Sequence, residues 1–179
     1  MPGTGLEDFE GIGIANRFIQ YKSNTIDVTM GNFYDEFGSG LIFKTYFDPN
    51  LGIDNSINGL RLRINPISGV YITALTGKQR NTWKENEGDS VVFKWKSPGY
   101  MYDERDNFHG LVSGFNTDIS LNEIILQNWN SIINIGASFV TKHEADNDPI
   151  FHFPENVGAF NGRLNISKNN TSINIDYAH

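Results

Sequence analysis

The chain has 179 residues, enough for one domain and too few for two comfortable ones. Charged residues make up only 20%, against a charged coil, and the net charge of -7 argues against the Lys/Arg-driven phosphate neutralisation of nucleic-acid binding. There is no cysteine, so a disulfide framework, a thiolate nucleophile and a Cys zinc site are excluded.

Asn is the commonest residue, and Gly, Phe and β-branched residues are abundant, a composition that leans towards β structure. The opening residues, Met1-Pro2-Gly3-Thr4-Gly5-Leu6, have neither a basic start nor an apolar run and do not read as a signal peptide. Residues 1–11 are expected to be a flexible leader. No run of about 18 apolar residues exists, which excludes a spanning helix but not spanning strands, whose residues are only about half apolar.

From residue 12 the dominant signal is alternation of period two, which predicts strands with one apolar and one polar face. The first strands fall near 12–22 and 25–33, where Ile26, Val28 and Met30 alternate with Asp27, Thr29 and Gly31. In 59–65, Leu60, Leu62 and Ile64 alternate with Arg61 and Arg63; a further strand covers 70–78. A weaker strand at 91–95 lies inside a long loop, 79–110. In 111–121, Phe115, Thr117, Ile119 and Leu121 oppose Asn116, Asp118 and Ser120, and only 121–129 could hold a helical turn. Ile133, Ile135, Ala137 and Phe139 mark 131–140, Phe160, Leu164 and Ile166 mark 157–167, and Ile173, Ile175 and Tyr177 mark 171–178. The fold class is all-β: an antiparallel up-and-down meander of about eight strands, a β-barrel or curved partial barrel, as a single domain over 12–178.

The connections alternate in length. Ser23-Asn24, Pro66-Ile67-Ser68-Gly69 and Lys168-Asn169-Asn170 are tight; 34–58, 79–110 and 141–156 are long; 122–130 is moderate and falls in a short slot. In an antiparallel meander every other link lies at the same end, so short turns gather at one end and long loops at the other, the habit of outer-membrane barrels. The polar face carries Asp27, Arg61, Arg63, Asp118, Arg163 and Asp176, candidate lumen-facing charges that the solvent face of a soluble sheet would tolerate equally. Eight strands of about 10 residues fit a closed barrel. The lack of a signal peptide before the first strand and the non-aromatic end, Asp176-Tyr177-Ala178-His179, lead to the expectation of a segment of a larger barrel. Its terminal strands would carry unpaired backbone groups and promote self-association. A closed eight-stranded barrel would instead pair 12–22 with 171–178.

Four blocks carry a resemblance: residues 31–41 (Gly-Asn-Phe-Tyr-Asp-Glu-Phe-Gly-Ser-Gly-Leu), 51–56 (Leu-Gly-Ile-Asp-Asn-Ser), 77–80 (Gly-Lys-Gln-Arg) and 154–163 (Pro-Glu-Asn-Val-Gly-Ala-Phe-Asn-Gly-Arg). In this order they resemble an uncharacterised family of Bacteroidota outer-membrane β-barrel proteins, over about residues 9–178. The resemblance implies a barrel wall in the bacterial outer membrane and gives no enzymatic residues. Family members are longer at both ends, and about 84–109 looks like an insertion here, which fits a hairpin within a loop.

Residues 33–41 combine aromatics, Asp35, Glu36 and glycines. They read either as a loop folding into a lumen, with Asp35 and Glu36 setting a negative field, or as a glycine-softened strand end with interfacial aromatics. Adjacent carboxylates point to opposite strand faces, so the two make a poor acid/base pair. His143, Asp146 and Asp148, with Glu144 between them and His152 beyond, are the best metal candidates by residue type, but the stretch lacks the calcium loop's Gly and final Glu, and an ordinary solvated loop is the favoured reading. His109 and His179 are expected at the surface. Gly38-Ser39-Gly40 has the wrong spacing for a nucleophile elbow, and Gly11-Ile12-Gly13 lacks the rest of a dinucleotide loop. Trp83, Trp95 and Trp129 suit a membrane interface or a sugar-stacking platform.

The expected function is therefore an outer-membrane β-barrel segment with a transport, porin-like or structural role. It needs no cofactor and no covalent chemistry. Its partners would be outer-membrane lipid and other envelope proteins, not nucleic acid. The alternative is a soluble β-sandwich binding module, with carbohydrate as the candidate ligand, that buries the same apolar face against a second sheet.

Overall fold

A computed structural model of the chain describes residues 16–48, 50–51, 53–80, 108–125, 129–144 and 154–179. The elements run β1 (Phe18–Lys22), β2 (Ile26–Phe33), β3 (Phe47–Asp48), β4 (Ile53–Asp54), β5 (Ile57–Ile67), β6 (Val70–Arg80), β7 (Phe108–Ser120), α1 (Leu121–Ile124), β8 (Ser131–His143), β9 (Asn156–Lys168) and β10 (Thr171–Ala178). Eight strands form one antiparallel sheet in the order β1-β2-β5-β6-β7-β8-β9-β10, and β3 pairs with β4 in a small hairpin of its own. The sheet is not closed: among the described residues, β1 and β10 each have one neighbour. The fold is thus an all-β meander, as the alternation predicts.

Several boundaries differ from the sequence reading. β5 to β9 extend two or more residues into stretches read as loop, because cross-strand pairing continues there without an alternation signal. Pro66, read as part of a tight turn, lies inside β5. The register shifts between Ile64 and Ile67, so one extra residue is accommodated where proline's missing N–H is tolerated. The turn itself is Ser68-Gly69, with Gly69 at φ 82°. The helical turn allowed after 121 forms as α1, whereas the β3–β4 hairpin is too short to leave a periodic signature. Residues 12–15 and the strand expected at 91–95 lie outside the described residues.

Register aligns the strands' faces. Tyr21, Val28, Leu62, Ala74, Phe115, Phe139 and Phe160 share one row; Ile26, Ile64, Ile72, Thr117, Ala137, Gly162 and Tyr177 share the next on the same face. On the opposite face, one row holds Thr29, Arg61, Leu75, Gly114 and Val140, and another Asp27, Arg63, Thr73, Asn116, Ser138 and Asn161. Burial inverts the pattern of a water-soluble sheet. Thr29, Arg61, Asn116, Ser138 and Asn161 are buried, while Ile135 is 42%, Phe139 51% and Ile173 56% exposed.

The polar face is covered by the connection that follows β2. Phe37 and Phe43 from this arm join Phe33, Ile57, Leu75 and Val112 in an apolar cluster, with the two arm rings 4.8 Å apart. Phe37 seats over Gly114 of β7, where a Cβ would lie 2.7 Å from the ring. Further on, Gly38 lies against the Arg163 side chain of β9, and Ser39 donates a hydrogen bond to Asp176 of β10. The arm turns here, with Gly40 N–H donating to the Phe37 carbonyl at 2.9 Å. The six residue steps from Phe33 to Ser39 span at most about 20–22 Å when fully extended. Six strand spacings from β2 to β10, laid flat, span about 29 Å. A turning arm makes both contacts only because the sheet curls, and the arm crosses its concave side.

Gly114→Ala forces either the Phe37 ring or the β7 backbone to move. It is expected to destabilise the fold by about 1–3 kcal/mol in a denaturant titration; an unchanged midpoint would show that Phe37 does not depend on that notch.

Candidate functional site

The covered face holds three groups of charge. In the first, Asp35 of the arm lies 2.8 Å from Arg63 and 3.6 Å from Arg61, both on β5. Arg61 also donates to the Thr29 hydroxyl at 2.9 Å and to the Tyr34 carbonyl at 3.2 Å, and its guanidinium sits 5.4 Å from the centre of the Phe33 ring. Thr45 fixes the Asp35 backbone from the other side: its hydroxyl accepts from Asp35 N–H at 2.8 Å, and its own N–H donates to the Asp35 carbonyl at 2.8 Å. In the second group, Arg80 at the end of β6 pairs with Asp54 of β4, both buried. Asp54 also accepts from the Tyr34 hydroxyl at 3.0 Å and from Ser56 N–H at 3.1 Å.

The third group centres on Arg163. Its guanidinium donates to Asp118 at 2.8 Å, Asn116 at 2.6 Å, Asn161 at 2.8 Å and Ser138 at 2.5 Å, side chains from β7, β8 and β9. Asn161 in turn donates to Asp176 and to the Tyr177 carbonyl. Gly136 makes room for this hub: a Cβ there would come within 2.6 Å of both Arg163 and Asp118.

The candidate lumen-facing charges all belong to these groups or their margins. Asp27 accepts from Gln20 at 2.8 Å and stands opposite Arg63 in register. Asp35 and Glu36 part company, as adjacent extended residues do. Asp35 is buried between two arginines, while Glu36 pairs with Lys44 at 3.0 Å at the surface. Neither is an unpaired source of negative field. His143 is a strand residue of β8, its ring nitrogen 2.9 Å from the side-chain oxygen of Asn156 opposite it. Asp146 and Asp148 lie outside the described residues, among which no group of three metal-ligating side chains occurs. His179 is exposed, with its ring 5.7 Å from Phe160.

Sequence reading missed Tyr34, Asp54, Arg80, Asn116, Ser138 and Asn161 as site residues. For Asn116, Ser138 and Asn161 the signal was present, since they share the polar parity of Asp118 and Arg163. Asp54 and Arg80 carry no such signal, one lying in a two-residue strand and the other at a strand end. At the short-turn end, Tyr71, Asp118, Ser120, Asn122, Glu123 and Asn134 line an open cleft of about 600 Å³. Chemically, the arrangement holds charges in fixed pairs on a concave surface, buried at Asp35–Arg61 and Asp54–Arg80 and partly exposed at Asp118 and Arg63.

The fold and interior define a class: an open, curled antiparallel sheet with its apolar face outward and its polar face filled by its own arm. The sequence matches the family of unknown function DUF6029 over residues 4–179, and the chain belongs to that family. No curated protein matches the chain, and no solved structure does.

Removing Asp35 leaves the buried Arg61 without its carboxylate. Asp35→Ala is expected to cost about 3–5 kcal/mol, readable as a lowered unfolding midpoint. Tyr34 supplies a pH test. Burial pushes its hydroxyl above the ordinary value of 10.0; a hydrogen bond from Asn16 opposes this, and the Asp54 charge adds to it. A raised folded-state value contributes stability that is complete below the unfolded value, near 10, and is lost as pH rises through the folded one. Midpoints measured between about pH 9 and about pH 12 should therefore fall more steeply for the native chain than for Tyr34→Phe.

Proposed function

We propose that the chain forms wall of an outer-membrane β-barrel of the Bacteroidota type, with a transport, porin-like or structural role and no covalent chemistry. The observation that carries this reading is the inverted polarity of the sheet. Five successive outward rows, marked on β9 by Gly158, Phe160, Gly162, Leu164 and Ile166, hold no charged side chain in any of the paired strands. From Gly158 to Ile166 the strand rises about 27 Å. Tilted by 35–45°, that is roughly 20 Å, close to the apolar band of about 25 Å found on such barrels.

The connections support the same reading. The links β1–β2, β5–β6, β7–β8 and β9–β10 lie at one end and include three tight turns; the links β2–β5, β6–β7 and β8–β9 at the other end are all longer than those turns. Outer-membrane lipid is then the partner of the apolar face, and other envelope proteins meet the long loops. A soluble binding module needs a second sheet on the apolar face, and among the described residues none lies there.

The test is Ile135→Arg, which places a cation inside the outward band, one row from its centre. In liposome refolding it is expected to reduce membrane-inserted stability by about 2–4 kcal/mol, with the same change at exposed Asn170 neutral. Equal insertion of the two variants would count against lipid contact.

A further inference from the structure

We propose that residues 34–48 are a plug that closes the interior and must move before any solute can follow the inner wall. The inner residues at mid-height on six different strands, Thr29, Arg61, Leu75, Asn116, Ser138 and Asn161, are all buried although, among the described residues, no second large sheet faces them. A water-filled passage along this wall would leave them wet. The arm fills that space with Phe37 and Phe43, and Ser39 carries it as far as Asp176 on β10.

The wall is shaped to receive it. Gly114 opens a notch for Phe37, and Gly38 of the arm lets the Arg163 side chain pass. The latch is ionic: Asp35 is held by Arg61 and Arg63 and clamped on its backbone by Thr45. The arm is held by Asp35 between two arginines, by Phe37 and Phe43 on the wall, by Ser39 at Asp176 and by Tyr34 at Asp54; it is not a member of the eight-stranded ladder, so these contacts can open locally while the ladder stays paired.

The proposal concerns packing and stands by itself; that its movement admits a solute rests on the barrel reading. The chain has no cysteine, so single reporters are clean. Ser138→Cys reports the interior, Ser172→Cys the exposed edge and Ile135→Cys the outward face, each treated with a water-soluble thiol reagent in liposomes. With the arm intact, Ser138→Cys should react at least about tenfold more slowly than Ser172→Cys. Adding Asp35→Asn with Phe37→Ala should raise the Ser138→Cys rate by about tenfold and leave Ser172→Cys unchanged. Should the double change abolish the β-sheet circular dichroism, Asp35→Asn alone is read, with a smaller rise expected. Equal rates at Ser138 and Ser172 with the arm intact, or continued protection of Ser138 in arm variants that keep the sheet, would overturn the plug. Fast reaction of Ile135→Cys would sink the barrel reading instead, leaving the Ser138 comparison valid.

Discussion

Three arginines on the concave face dictate how the connection after β2 folds. A guanidinium does not lose its charge, so Arg61, Arg80 and Arg163, once covered, each need a carboxylate and further acceptors in place. The sheet supplies only one of these locally, Asp118 for Arg163. The other two, Asp35 and Asp54, come from the connection after β2. Folding that connection inward is therefore electrostatically coupled to curling the sheet. The glycines at 114 and 136 are the steric counterpart, leaving room on the wall for an aromatic ring and for an arginine fork.

The outward face poses the opposite problem. Phe115, Phe139 and Phe160 stand side by side in one row, each about half exposed. Full burial of one such side chain is worth about 1.5–3 kcal/mol, so each half-exposed ring leaves roughly 1 kcal/mol unrealised in water. Summed over the outward rows, this is large against the marginal stability of a domain. The proposed lipid contact removes the deficit without a second sheet, and among the described residues the buried hydrophobic cluster lies on the interior face.

Much of this was legible in the sequence because strand alternation is local. Ile133, Ile135, Ala137 and Phe139 announce β8 and its two faces, and the parity of Arg61, Arg63, Asp118 and Arg163 assigns them to one side. The family match over residues 4–179 agrees with the resemblance seen from about residue 9 onward, while the outer-membrane character that the resemblance implies belongs to the proposal. What alternation does not say is which face is covered, because the same pattern serves a soluble sheet packed on its apolar side. Residues 33–41 fit a strand end somewhat better than a loop folding over the polar face. The decision between them rests on Gly114 and Arg163, some 80 and 130 positions away, which local spacing cannot reveal. The Asp54–Arg80 pair was invisible for the same reason.

The proposed orientation puts the apolar face in lipid and the polar face away from it. Spin labels on single cysteines at Phe139 and, separately, at Asn116 in liposomes test it most directly, with oxygen as the lipid-soluble relaxing agent and a nickel chelate as the water-soluble one. The label at Phe139 is expected to be relaxed strongly by oxygen and scarcely by the chelate, and the label at Asn116 to show no such preference for oxygen. Chelate access at Phe139 as free as at a turn site such as Asn170 would contradict it.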